Sequence, residues 1–145
     1  MYAKIKKLND LAKIPHKETK FSAGMDLFAA TDSEIVINPG ETKMIPLGFA
    51  TELMPFTAAL ILPRSGLASK KGLRPANTPG LIDADYRGEW MVALHNDSQA
   101  IQSVMPQERI AQALFIKFYG TDFEEVDELT DTDRGEGGFG STGVK

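Results

Sequence analysis

Thirteen glycines and eight prolines are spread along the 145 residues. They cut the apolar sequence into runs of at most five, Ala58–Leu62 and Trp90–Leu94. Short apolar stretches at Ile35–Ile37, Lys43–Leu47, Ala58–Leu62, Gly80–Asp83 and Trp90–Asn96 alternate with turn signals such as Asn38-Pro39-Gly40 and Thr78-Pro79-Gly80. Many short strands separated by Gly/Pro turns predict an all-β sandwich or barrel. The length suits one domain, which at this size buries roughly 70% of its unfolded surface. No run approaches the ~20 apolar residues of a membrane helix. The basic start, Met1–Ile14, lacks the apolar centre of a secretory signal, so the triplet Asn96-Asp97-Ser98 reads as a chance glycosylation match.

The segment Glu108–Phe118, ERIAQALFIKF, is ambiguous. Helical spacing groups Ile110, Ala113, Leu114 and Phe118. Alternation groups Ile110, Gln112, Leu114, Ile116 and Phe118 on one strand face. Its Ala, Gln, Arg and Glu favour a helix by propensity; the all-β context and Pro106 favour a strand, which is the prediction adopted. One short helix is expected at Ser65–Lys71, with Ser65 as a candidate cap.

Charge and cysteine content narrow the chemistry. There is no cysteine, which excludes disulfides, thiolate nucleophiles and cysteine-bound zinc. The net charge of −4 is uneven: residues 121–133 hold seven acids and no base, whereas 1–120 hold 14 bases and 12 acids. That balance argues against duplex nucleic acid as a partner. A small polyanion held by a few placed cations remains open. The histidines, His16 and His95, have no partners at ligand spacing, so chemistry falls to carboxylates, arginines and an oxygen-bound metal.

Four stretches carry candidate chemistry. The tail, Arg134-Gly135-Glu136-Gly137-Gly138-Phe139-Gly140-Ser141-Thr142-Gly143, contains a formal G-x-G-x-x-G. It has too little chain after it to open a dinucleotide-binding helix. Its glycines can still converge N–H groups on an anion, helped by Arg134, Ser141 and Thr142, or it can be an ordinary mobile end. Pro63-Arg64-Ser65-Gly66-Leu67-Ala68 follows an apolar strand and reads either as a phosphate-binding mouth or as a plain strand-to-helix turn. Asp83 and Asp85, within Gly80–Trp90, can bind a metal, act as a base or shape a turn. Asp26, between apolar neighbours, can hold a ligand or simply face water.

Taken in order, five stretches resemble the motifs of the homotrimeric dUTPase family. They are Ala23-Gly24-Met25-Asp26-Leu27, Arg64-Ser65-Gly66-Leu67-Ala68, Gly80-Leu81-Ile82-Asp83-Ala84-Asp85-Tyr86-Arg87-Gly88, Glu108-Arg109-Ile110-Ala111-Gln112 and the tail from Arg134 to Gly143. The fourth departs from the family pattern, having Gln107-Glu108 where a glycine and an acid usually precede the arginine. Met25 stands where the first motif often has an aromatic or aliphatic residue.

The resemblance implies a distorted jelly-roll β-barrel over 1–120 and a flexible, Gly-rich C-terminal arm, 121–145, that closes a neighbouring subunit's site. It implies a homotrimer with shared sites, a cytoplasmic location, and no membrane or nucleic-acid partner. The implied reaction is dUTP plus water giving dUMP and pyrophosphate, which limits uracil in DNA and supplies dUMP for dTMP synthesis. Asp83 would be the general base for a water attacking the α-phosphorus. Mg²⁺ would bridge the phosphates, with Asp26 reaching its water shell. Arg64, Ser65, Gly66 and Gln112 would contact the phosphate chain, and Arg134, Gly140, Ser141 and Thr142 would close on it. Asn77, Leu81, Ile82 and Met91 would form the uracil pocket, Tyr86 would lie under deoxyribose, and Phe139 would stack over the base. The alternatives are a dCTP deaminase-like enzyme and a nucleotide-sensing regulatory module.

Overall fold

A computed structural model describes residues 2–138. Phe139, Gly140, Ser141 and Thr142, all expected at the site, therefore lie outside the described residues. Four strands open the chain: β1 (Lys4–Lys7), β2 (Met25–Phe28), β3 (Ile35–Ile37) and β4 (Thr42–Pro46). They are followed by β5 (Phe49–Glu52), β6 (Thr57–Leu62), the helix α1 (Ser65–Lys71), β7 (Leu73–Pro75) and β8 (Gly80–Ile82). The last three strands are β9 (Met91–Asn96), β10 (Gln102–Val104) and β11 (Arg109–Lys117). All pairings are antiparallel. One sheet runs β2-β11-β6-β8, a second β4-β9-β7, and the pairs β1-β5 and β3-β10 complete a jelly-roll-like wrap around one core. Among the described residues, the expected all-β class with a single short helix is what forms.

Alternation explains why these segments are strands. In β9, Val92, Leu94 and Asn96 point inward, whereas Met91, Ala93 and His95 point out or lie half-buried. The core they enter contains Leu27, Ile45, Leu47, Phe49, Leu73, Trp90 and Ile110, each essentially buried. Trp90 stands 5.3 Å from Phe49, ring to ring, and its indole N–H donates to Thr51 Oγ1 at 3.1 Å. Burying side chains of this size contributes about 1.5–3 kcal/mol each, and Trp90→Ala, which also leaves a cavity, costs about 3–5 kcal/mol. Asn96 is fully buried but satisfied. Its amide donates to the Ile37 and Ala100 carbonyls and accepts from Ser98, so it is a structural residue, consistent with a chance glycosylation triplet.

Residues 109–117 form a strand despite their helical propensity. Two ladders, to β2 and to β6, saturate the backbone on both edges, and tertiary pairing outweighs the small intrinsic preference. Gln112, Leu114 and Ile116 share a face, as alternation predicts, but that face is the half-buried one. Ala111, Ala113 and Phe115 face the core, and a register shift between Arg109 and Ala111 turns Ile110 inward as well.

The helix α1 spans the expected residues, but Ser65 does not cap it. Arg64 occupies the cap position, with extended backbone and no side-chain cap bond, and Gly72 closes the other end in the left-handed conformation. From 121 to 138 the chain forms no helix or strand, and 121–136 is exposed throughout.

Candidate functional site

Strand register assembles the first half of the site. Gln112 of β11 lies opposite Asp26 of β2 on one side and Leu62 of β6 on the other. Three segments far apart in sequence therefore meet beside Gln112, and Arg64 follows where β6 leaves the sheet. Asp26 is the hub. Its Oδ1 accepts from Arg64 Nε at 3.0 Å, and its Oδ2 from an Arg109 guanidinium nitrogen at 3.1 Å. The same Arg109 nitrogen also donates to Glu18 at 3.2 Å. Only 12% of the Asp26 side chain is exposed, so its carboxylate is largely shielded while both arginines keep part of their surface in solvent.

These residues line a pocket of about 790 Å³, together with Ser22, Ala23, Gly24, Ser65, Gly66, Lys70, Lys71, Glu108 and Gln112. A side chain added at Gly66 would meet nothing within 4 Å, so the pocket is open above it. Gln112 is held by donation from Nε2 to the Pro63 carbonyl at 2.9 Å. The opposite wall is Gly24, whose missing side chain leaves the room that the Gln112 amide fills.

The fourth motif forms a turn here without a glycine. Gln107 adopts a positive φ of 63°, the region a glycine would occupy at less cost. Its backbone N–H donates to Ala29 O at 3.0 Å, and its side-chain amide reaches Leu11 O at 2.5 Å. Glu108 joins this turn to the helix by accepting from Met105 N and from Lys71 Nζ.

The donor set suits a magnesium ion only in one way. Among the described residues no three acidic or histidine side chains converge on a point. Asp26 still has acceptor capacity beyond its two arginine bonds. It fits a hydrated ion carried by a ligand's own oxygens and touched through water, which is how Mg²⁺ is commonly held in phosphate sites.

The second half lies elsewhere. Leu81, Ile82, Asp83, Tyr86 and Met91 line a separate hollow of about 290 Å³ with Met44 and Glu89. Tyr86 is fixed by donation to Glu89 O at 3.1 Å. Its ring covers Gly88, where an added Cβ would fall 2.3 Å from the hydroxyl oxygen. Arg87 ties the loop by donating to Ala84 O at 2.8 Å. Asn77 packs over Gly80, its amide nitrogen 3.4 Å from where a Gly80 Cβ would stand. β8 is an edge strand, and the β7–β9 ladder ends before Met91. Leu81 and Ile82 pair with β6 on one side and Met91 with β4, so the outer edge of β8 and the β7 side of Met91 are left without a strand partner among the described residues.

The two halves stand at opposite ends of β6. Ile61 pairs with Gly80 and Ala59 with Ile82, so Asp83 emerges beside the start of β6, whereas Arg64 follows its end. At 3.3 Å per residue that is a separation of about 20 Å. Arg134 is exposed in a turn of its own, donating to Gly137 O at 2.8 Å.

Sequence reasoning missed several lining residues. Glu18, Ser22, Lys70 and Lys71 belong to no chemical pattern, although accepting the helix at Ser65–Lys71 places Lys70 one turn beyond Gly66. Arg109 was visible within the fourth motif, but its bond to Asp26 depends on non-local pairing. The histidines are structural: His16 stacks on Phe28 at 5.3 Å, and His95 Nδ1 is 2.8 Å from Thr42 Oγ1.

A family model described as dUTPase matches residues 10–143. A deoxyuridine 5'-triphosphate nucleotidohydrolase of Nautilia profundicola is 50% identical over 143 residues, covering 99% of both chains. One from Clostridioides difficile is 49% identical over 140 residues, covering 97% of this chain and 96% of its own. The dUTPase of Staphylococcus bacteriophage 80alpha, solved as a mutant with dUpNHpp, matches with a TM-score of 0.85 at 26% identity, covering 99% of each chain.

Proposed function

This chain belongs to the dUTPase family, and from that premise we propose that it hydrolyses dUTP to dUMP and pyrophosphate in a homotrimer whose active sites are each shared among chains. The observation that carries the shared site is the placement of Asp83 and Arg64 at opposite ends of β6. A triphosphate lying on Arg64 cannot meet Asp83 of the same chain across about 20 Å. It meets Asp83 of a neighbour.

One chain supplies the phosphate rim: Arg64, Ser65, Gly66 and Gln112, organised by Asp26. Charge spreads over the phosphate oxygens as the α-phosphorus is attacked, and preorganised donors stabilise that state more than the ground state. Mg²⁺, when bound through water at Asp26, neutralises phosphate charge. The neighbour's Asp83 orients a water in line with the α-phosphorus and takes its proton. A base so placed contributes about 10²–10⁴ in rate.

The same neighbour reads the base. Uracil offers acceptor, donor and acceptor along its pairing edge. Backbone groups on the unpaired edges at Leu81, Ile82 and Met91, with the Asn77 amide, complement that order. Cytosine inverts part of it and leaves buried groups unpaired, a mismatch worth up to ~10⁴ in discrimination. Tyr86, locked over Gly88, presents its ring to the sugar and leaves no room for a 2′-hydroxyl. The arm, 121–145, crosses to a further chain. There Arg134, Gly140, Ser141 and Thr142 close on the phosphates and Phe139 stacks on the base, a contact worth about 1–3 kcal/mol.

Complementation tests the shared site. Arg64→Ala and Asp83→Asn chains are each inactive alone. Co-expressed, they form mixed trimers in which some sites have both residues intact, and pyrophosphate release from dUTP returns. Mixed trimers that stay as inactive as their parents would refute sharing.

A further inference from the structure

The lining of the phosphate-side pocket carries an unbalanced charge. Arg64 and Arg109 are both spent on Asp26, Arg109 also on Glu18, and Lys71 bonds Glu108 at 3.0 Å. Lys70 is the one cation lining that pocket with no acidic partner among the described residues. It lies four residues after Gly66 in α1, hence on the same helix face and one turn along. Among the described residues nothing lies within 4 Å of a Cβ built on Gly66, and Arg64, Ser65, Gly66 and Lys70 line the same open pocket.

We propose that Lys70 is a specificity-determining residue that favours a triphosphate over shorter phosphate chains by meeting the charge at the far end of the chain. This rests on the nucleotide reading above. Arg64 and Arg109 act as a rigid, internally neutralised floor that shapes the pocket. Lys70 adds the net positive charge and, on a four-carbon stem, follows the end of the phosphate chain without a fixed geometry. Its contribution is long-ranged and weakly directional. It raises encounter and binding rather than the chemical step, and salt screens it.

Steady-state hydrolysis of dUTP by the full chain, at low and high ionic strength, tests this, with inhibition by dUDP and dUMP measured beside it. At low salt Lys70→Ala lowers kcat/KM for dUTP by about five-fold, through KM, with kcat unchanged. Lys70→Glu lowers it further and Lys70→Arg restores it. At high salt the variants converge. The inhibition constant of dUMP stays unchanged and that of dUDP shifts less than KM for dUTP. Wild-type kcat/KM in Lys70→Ala at low salt, or equal losses for dUMP and dUTP, would overturn the assignment. Failure of the wild-type chain to hydrolyse dUTP would instead overturn the nucleotide reading, so the two are separable. Because Lys70 is exposed and its side chain makes no bond among the described residues, an unchanged melting temperature is expected in every variant.

Discussion

A Cβ built on Gly24 would stand 2.2 Å from Oε1 of Gln112. The glycine of the first motif is therefore spatial rather than conformational in purpose. It clears the volume in which the Gln112 amide lies while donating to Pro63 O. Gly24→Ala displaces that amide and breaks its bond. The stability cost is about 1 kcal/mol, a few degrees in Tm, because Gln112 can swing toward solvent. The functional cost is larger: kcat/KM for dUTP falls about ten-fold or more, since a displaced phosphate contact misaligns the reacting group. Calorimetry and a pyrophosphate assay on one preparation separate the two. Full activity in the alanine variant would show that Gln112 does not position substrate.

Asp83 is exposed directly after β8 and makes no side-chain bond among the described residues, so it is free to serve a neighbour's ligand. Asp83→Asn retains the shape and a water contact but cannot accept a proton. The expected result is a kcat lower by about 10²–10⁴ with nucleotide binding retained by calorimetric titration. Hydrolysis close to that of the parent chain would remove Asp83 from the base role.

Tyr86 is held from two sides, by Glu89 O and by the space over Gly88. Tyr86→Ala empties the sugar platform and lets a 2′-hydroxyl enter. Selectivity for dUTP over UTP falls by about ten-fold or more. Competition kinetics with both nucleotides measure it, and an undiminished ratio would assign ribose exclusion to another group. Gly88→Ala is expected to mimic the effect by pushing the ring away.

Residues 121–136 are exposed throughout, with Phe123 and Leu129 at 98% and 87%, so this segment adds nothing to its own chain's core. Ending the chain before Arg134 keeps the fold, the melting temperature and the assembly but removes the closing residues. A loss of about 10² in kcat/KM with an unchanged mass by light scattering is expected. A monomeric product would instead make 134–145 an assembly element.

Much of this was legible in the linear order of residues. Gly/Pro spacing marked short strands, and β3, β4, β6, β8 and β9 fall on the apolar stretches bounded by those turn signals. The helix at Ser65–Lys71 and the strand at 109–117 follow from local signals plus the all-β context. Five ordered motifs carried the family resemblance. What local patterns missed were β1, β2, β5, β7 and β10, strands of three or four residues whose identity comes from their partners.

The residue types thus determined the class of fold and the chemistry available: carboxylates, arginines and glycine-lined anion contacts, with no thiol. Tertiary structure decided which of these meet. Asp26 joins Arg64 and Arg109, and Gln112 lies between β2 and β6, because antiparallel register aligns residues dozens of positions apart. The same register puts Asp83 at the far end of β6 from Arg64. Periodicity is a local property of a chain, whereas pairing is settled by the whole sheet burying one face, and only the latter sets Asp83 apart from Arg64.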